Sequence, residues 1–104
     1  MIIAEIGLNH VGSKKLAMKY VEQLCDTDID GLTFQVPEPD FFLDKKYKHL
    51  KIQNNYLTTC LNHAKSCGKK IGVAICDLHS IKEFENNKID FTFQVLNAIL
   101  SKKI

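Results

Sequence analysis

Residues 2–12, which read IIAEIGLNHVG, decide the fold of this chain. A short apolar run enters a segment bounded by Gly7 and Gly12, and this pattern predicts a buried strand over residues 1–6 followed by a turn. Ser13 comes next and can cap a helix by accepting a hydrogen bond from a free amide of the first turn. The stretch therefore predicts a strand, a loop and a helix in succession.

The rest of the chain repeats this alternation of strand and helix. The first helix is predicted to end near residue 26, and a second helix covers residues 54–67 with Gly68 as its stop. A capping box at residues 80–83 starts a short third helix that ends at residues 86–87. The remaining strands are predicted at residues 32–36, 71–76 and 91–96. The order βαβαβαβ is typical of an α/β fold with a parallel sheet and right-handed crossovers.

Two further patterns support repeated βα units. The predicted helices carry apolar faces at helical spacing, namely Ala17, Tyr20, Val21 and Leu24 in the first and Leu57, Cys60, Leu61 and Ala64 in the second. Residues 29–36 read IDGLTFQV, and residues 89–95 echo them as IDFTFQV. The alternation alone permits a flavodoxin-like open sheet as readily as half of a barrel.

Composition limits the classes of function. A chain of 104 residues with 45% hydrophobic and 25% charged residues predicts one ordinary globular domain. The net charge is +2, and all the cations are lysines, including a loose group at Lys45, Lys46, Lys48 and Lys51 that we interpret as solvated surface. Nucleic-acid binding is not indicated, because a basic stripe with arginine forks is missing. Neither a leader nor a membrane-spanning run is apparent, so we expect a cytoplasmic protein without membrane partners.

The cysteines lack the close pairing of a zinc ribbon or a redox motif, and we expect free thiols in a reducing cytosol. Cys60, His63 and Cys67 share one stripe of the second predicted helix. Because apolar residues occupy the same stripe, we interpret these cysteines as small core residues and assign no metal ligand. Cys76 ends a predicted strand and is also expected to be structural.

Residues 2–12 resemble the first strand and loop of the sialic acid synthases, whose pattern is close to I-A-E-I-G-x-N-H-x-G. Residues 30–35, DGLTFQ, resemble the second-strand pattern D-A-V-K-F-Q of the same family. Residues 77–80 and 89–90 occur in the order of the family's third and fourth βα units. The resemblance implies a (β/α)₈ barrel of which this chain forms the first half, since a complete barrel takes about 250 residues.

For the site, the resemblance implies roles at named positions. Glu5 matches a carboxylate that faces the sugar, Gln35 matches an amide in the site, and Asn9 and His10 lie in the adjoining loop. His10 can equally be an ordinary loop residue. Three positions depart from the family: Thr33 and Phe93 stand where lysines are expected, and Ala74 stands where a threonine binds phosphate. Leu96 and Ala98 likewise replace a serine and a glutamate.

The resemblance further implies a transferase of carbohydrate biosynthesis that joins phosphoenolpyruvate to N-acetylmannosamine or a related hexose with manganese or magnesium. The second barrel half, its metal-binding histidines and the C-terminal antifreeze-like domain have no counterpart here, so we expect residues 1–104 to form one partial, truncated barrel domain. This chain alone is expected to hold no cofactor and to be inactive. Unpaired strand edges predict self-association or pairing with a complementary barrel half.

Two alternatives remain at this point. One is a non-catalytic module that binds an amino sugar or pairs with another chain. The other is a small independent enzyme using Glu5, His10 and Asp77, although no complete catalytic constellation supports it. Residues 37–53 form a polar, aromatic excursion, with Phe41, Phe42, Tyr47 and Tyr56 gathered around it. This segment can serve as a binding lid or as a cover for one face of the sheet.

Overall fold

The computed structural model describes residues 1–75, 82, 84 and 89–94. Its strands are β1 (Ile3–Gly7), β2 (Gly31–Val36), β3 (Lys70–Ile75) and β4 (Phe91–Gln94), and its helices are α1 (Lys14–Cys25) and α2 (Asn54–Ser66). Each predicted strand and both of these predicted helices are present, with ends shifted by one or two residues where they can be compared. Lys82 and Phe84 have helical backbone, as predicted for the third helix.

The four strands form one sheet in the order β1-β2-β3-β4. Every neighbouring pair is parallel. In a flavodoxin-like sheet β1 lies between β2 and β3, whereas here it lies at the edge of the sheet. Strands that follow one another in chain order are the arrangement of a (β/α)₈ barrel, so the half-barrel alternative is confirmed as a partial parallel α/β fold.

Both helices bury the faces that their apolar spacing predicts. In α2 all four predicted residues are buried, and in α1 Ala17 and Val21 are buried while Tyr20 and Leu24 are partly buried. They pack with alternate residues of the strands. Besides the helix residues, the core comprises Ile6, Leu32, Phe34, Val36, Ile52, Ile71, Val73, Ile75 and Phe84. The other face of the sheet is thereby left for the interior of the barrel.

Local chemistry accounts for where the helices begin and end. The Ser13 hydroxyl accepts a hydrogen bond from the amide of Leu16 at 3.1 Å and caps α1 as predicted. At the end of α2, Gly68 has φ +84°, and the amides of Gly68 and Lys69 bond to the carbonyls of Lys65 and Ala64. This is a Schellman motif, which explains why glycine stops the helix there.

Matching aspartates organise the amino ends of two strand pairs. The Asp30 carboxylate accepts a hydrogen bond from the Ile2 amide at 2.6 Å, and the Asp30 amide donates to the Ile2 carbonyl. Asp90 repeats both contacts with Ile71, at 2.8 and 2.9 Å. The sequence echo of residues 29–36 and 89–95 thus corresponds to a repeated structural contact between a strand and the strand before it.

Residues 37–53 form two short 3-10 turns, Pro39–Leu43 and Lys48–Leu50, beyond the end of β2. Phe41 stacks on Tyr47 with ring centroids 4.5 Å apart. The segment closes against the β1–α1 loop, where Gly12 has φ +80° and lies against the His49 carbonyl with no room for a Cβ. Tyr56 does not join the aromatic group, because it lies on α2 and its hydroxyl donates to the Lys14 carbonyl.

Within residues 1–75, 82, 84 and 89–94, no helix is long and apolar enough to cross a membrane. Several predictions concern residues outside those described: Cys76, Asp77, the capping box from Ser80 to Glu83 as a unit, Leu96 and Ala98.

Candidate functional site

The face of the sheet that the helices leave uncovered carries the positions singled out in the sequence. Strand pairing places Glu5, Thr33, Gly72 and Phe91 in one row across the sheet. The next row toward the carboxyl ends contains Gln35, Ala74 and Phe93. Because residues two apart in a strand share a face, Thr33 and Gln35 both lie on the barrel-interior side, with Glu5 and Ala74 beside them. The predicted site positions Glu5 and Gln35 therefore belong to adjacent rows of one surface.

The side chains of Glu5 and Gln35 are more accessible to solvent than that of Thr33, which lies next to both on this surface. Glu5 is exposed and Gln35 is half-buried, whereas Thr33 is buried at 2% exposure. A Cβ on Gly7 would lie 3.9 Å from the Gln35 amide oxygen, so the end of β1 and the Gln35 side chain approach each other. The described part of this surface thus presents one carboxylate and one amide, the groups that commonly bind sugar hydroxyls and N-acetyl groups.

A cleft of about 210 Å³ opens beside Gln35 at the carboxyl end of β2, where barrel enzymes build their sites. Its polar lining comes from Gln35, His10, Asn54 and Lys51. Apolar walls are supplied by Leu8, Val36, Pro37, Pro39, Phe42, Leu50, Ile52 and Leu57. A concave apolar surface with a few converging polar groups is the usual form of a small-molecule site.

His10 is a buried wall of this cleft. It is 1% exposed, its Nδ1 accepts a hydrogen bond from the Gly12 amide at 2.9 Å, and its ring lies 6.1 Å from that of Phe34. Burial lowers the pKa of His10, so the ring is neutral at pH 7 and carries its proton on Nε2. His10 is therefore a buried residue that connects to the β1–α1 loop through the Gly12 amide, and not an exposed loop histidine.

The sequence predictions are brought together only in part. Gln35 and His10 line the same cleft, whereas Asn9 is exposed and neither Asn9 nor Glu5 contributes to its wall. Phe42, Lys51 and Asn54 also line the cleft, from residues 37–54. Phe42 belongs to the segment predicted as a lid or a cover, but Lys51 was interpreted as solvated surface and Asn54 had no predicted site role. The aromatic residues of that segment were the signal in the sequence that could have indicated its part in the cleft. In the structure the Lys51 ammonium lies 5.9 Å from the centre of the Phe42 ring, close enough for a cation–π contact.

The divalent metal implied by the resemblance does not fit the described part of this site. Among the described histidines, His10 has Nδ1 committed to Gly12, and His49 and His63 are exposed on other elements. Within the same residues, the one group of three or more possible ligands that converges is Cys25, His63 and Cys67. It lies at the ends of α1 and α2, away from the residues that line the cleft. We therefore derive no metal-dependent step here.

Burial of the cysteines corrects part of the sequence interpretation. Cys60 is a buried core residue as predicted, and burial raises the pKa of its thiol to about 11. Cys67 was expected in the core and is instead exposed, because the last turn of α2 extends beyond the residues that pack on the sheet. All three described cysteines, Cys25, Cys60 and Cys67, are free thiols.

The sequence matches no protein-family model and no curated protein. Its fold is similar to that of an N-acetylneuraminic acid (sialic acid) synthetase from Leptospira borgpetersenii, solved with citrate, with a TM-score of 0.76 and 20% identity over 88% of this chain. It is also similar to a protein from Chromobacterium violaceum described as spore coat polysaccharide biosynthesis protein E, with a TM-score of 0.73, 18% identity and the same coverage.

This chain spans about a third of the length of each of these proteins, 34% and 32% respectively. At such identities the likeness concerns the fold. The chain therefore has the fold of part of a sialic acid synthetase, a partial parallel α/β barrel, and the resemblance read from its opening residues is confirmed at that level.

Proposed function

We propose that this chain is a sugar-facing half-barrel of the sialic acid synthase type that does not by itself join phosphoenolpyruvate to N-acetylmannosamine or a related hexose. The observation that carries the proposal is the composition of the two interior rows. Glu5 and Gln35 retain polar groups that suit a sugar, while the neighbouring Thr33 and Ala74 are neutral. We assign the sugar contacts to Glu5 and Gln35, with Asn9 and His10 shaping the adjoining loop.

The chemistry explains why neutral residues at these positions matter. Phosphoenolpyruvate carries a phosphate and a carboxylate close together, and turnover requires cations and donors already held in place. The hydroxyl of Thr33 supplies no charge, and its burial leaves little of it accessible to a ligand. Lys51 is the cation among the described residues of the cleft wall, but it extends from an exposed segment over Phe42.

Phosphate release tests the catalytic half of the proposal. The purified chain is incubated with phosphoenolpyruvate, N-acetylmannosamine and Mn²⁺, beside a complete sialic acid synthase as the active control. We expect no phosphate above the enzyme-free rate from this chain. Turnover that survives repurification and disappears in Glu5→Ala would show that the chain builds a complete site and would refute the proposal.

Sugar binding tests the part of the proposal that concerns Glu5 and Gln35. The same measurement tests the second candidate function, a non-catalytic sugar-binding module. The cleft beside Gln35 favours this candidate because it joins amide groups to an apolar wall that contains an aromatic ring. We expect saturable binding of N-acetylmannosamine by calorimetry or NMR titration. Gln35→Ala and Glu5→Ala should weaken it at least about tenfold, the loss of roughly one charged or bidentate hydrogen bond.

Glu22→Ala and Gln23→Ala are matched controls, since both residues are exposed on α1. Unchanged affinity in the controls and loss in the site variants would support the assignment. Equal affinity in all four variants, or no saturable binding by the parent chain, would refute it.

Assembly is the third component of the proposal. β1 and β4 are the outer strands of the described sheet, and an outer strand presents unpaired main-chain groups along one side. We propose that these edges pair in a second copy of the chain or in a complementary barrel half. Light scattering of the purified chain should report a dimer or larger species. A well-folded monomer that does not bind an added polypeptide corresponding to the second half of the barrel would contradict this component.

A further inference from the structure

Two cysteines and a histidine come together at the carboxyl ends of α1 and α2, and none of the three lines the cleft. Cys25 is the last residue of α1, and Cys67 follows the last residue of α2. His63 precedes Cys67 by one helical turn, a spacing that places two side chains on one helix face. The two thiols and an imidazole nitrogen all lie within 4.8 Å of one another.

We propose that Cys25, His63 and Cys67 form a binding site for a thiophilic divalent cation of the zinc type, with solvent in the fourth position. Two thiolates and one imidazole are a donor set that selects zinc over magnesium or calcium. In tetrahedral zinc sites, bonds of about 2.3 Å to sulfur and about 2.0 Å to nitrogen place the ligand atoms roughly 3.5 to 3.8 Å apart. The three ligand atoms therefore already lie within about 1 Å of the spacing that a bound ion requires.

The main chain around the cluster is held in place independently of any metal. The Lys69 ammonium donates to the carbonyls of Thr27 and Ile29 at 2.6 and 2.9 Å. These bonds connect the loop after α2 to the loop after α1, immediately beyond Cys67 and Cys25. The Schellman motif at Gly68 fixes the same turn from the α2 side. Such pre-organisation lowers the entropy cost of gathering ligands from two helices.

The electrostatic setting also suits a cation. Both helices end at the cluster, and the carboxyl end of a helix carries a partial negative charge that attracts positive ions. Asp26 lies next to Cys25 and adds a negative charge, while the nearby Lys69 opposes it but is bonded to two carbonyls. Cys25 is partly buried and His63 and Cys67 are exposed, so an ion and a water molecule can reach the site.

A disulfide is the competing explanation for two adjacent cysteines. The His63 imidazole lies within 4.8 Å of both sulfurs. A disulfide makes no use of this histidine, whereas a metal site uses all three groups. On binding, both thiols release their protons and the metal–sulfur bonds replace the S–H bonds.

The experiment uses Co²⁺ as a spectroscopic substitute and then Zn²⁺ on the full, reduced, metal-free chain. We expect one equivalent of Co²⁺ to give thiolate charge-transfer bands and the intense visible bands of tetrahedral coordination, all lost when Zn²⁺ displaces it. Cys25→Ser, Cys67→Ser and His63→Ala should each weaken Zn²⁺ binding by at least about tenfold. Zn²⁺ should also raise the melting temperature of the parent chain and not that of the variants.

Two exposed residues supply matched controls. Asn62→Ala alters the same turn of α2, and His49→Ala removes a histidine outside the cluster, so both should bind metal like the parent. A circular dichroism spectrum checks that each variant folds. If reduced parent chain gives no tetrahedral Co²⁺ spectrum, or if mass spectrometry finds a Cys25–Cys67 disulfide while the reduced chain binds no Zn²⁺, the proposal is overturned. The readouts need no sugar or phosphoenolpyruvate, so they are independent of the function proposed above.

Discussion

At the amino ends of the strands, charged side chains are bonded to the main chain, whereas on the barrel-interior face Glu5 is exposed and Gln35 borders a cleft. Asp30, Asp90 and Lys69 each contact backbone amides or carbonyls of a neighbouring strand or loop. In barrel proteins the amino end of the sheet supports stability and the carboxyl end carries function. In this chain the bonded charges likewise lie at the amino ends, and the cleft opens at the carboxyl end of β2.

The largest expected effect compares two glycines at opposite ends of the fold. Gly12→Ala should destabilise the chain by about 3 kcal/mol, because a Cβ would overlap the His49 carbonyl and the residue has φ +80°. Gly68→Ala should cost only about 1 kcal/mol, since it has a similar φ but nothing within 4 Å. Urea denaturation of both variants measures the difference, and equal losses would show that residues 37–53 do not restrict the side chain at residue 12.

An intermediate effect is expected from the aspartate contacts. Asp30→Ala removes the acceptor of the Ile2 amide and should lower the free energy of unfolding by about 1 kcal/mol. Asp90→Ala, which removes the equivalent acceptor of Ile71, should behave alike. Asp28→Ala, an exposed carboxylate of the same loop as Asp30, serves as the control and should change stability little. A loss in Asp28→Ala as large as in Asp30→Ala would mean that net charge, not the strand contact, sets the effect.

The smallest expected effect is a pH dependence at His10. Burial lowers its pKa in the folded chain below the ordinary 6.5, so the unfolded chain binds the proton more readily. Stability should therefore be highest above pH 6.5 and decline as pH falls below it. His10→Asn keeps an acceptor for the Gly12 amide without a titrating ring, and its stability should decline less between pH 7 and 5. Parallel curves for the two proteins in urea titrations would contradict this assignment.

Much of the fold follows from local pattern. The Ser13 cap, the stop at Gly68 and the buried face of α2 were all predicted, because each depends on residues within a turn or two of one another. The site was predicted less completely. Gln35 and His10 were found from the resemblance, but Phe42 and Lys51 reach the cleft through a segment whose path no periodic pattern describes.

Local sequence is enough to set the alternation of strands and helices, the apolar face of each helix and the capping residues, because hydrogen bonds and periodicity within one element suffice for these. The strand order, the burial of His10 and the convergence of Cys25 with His63 and Cys67 depend instead on how the elements pack together. Cys25, for example, lies about 40 positions before His63 and Cys67 in the chain, and the distances between such residues depend on how α1 and α2 pack on the sheet. Side-chain spacing within one helix carries no information about that packing, which is why the sequence pattern grouped Cys60, and not Cys25, with His63 and Cys67.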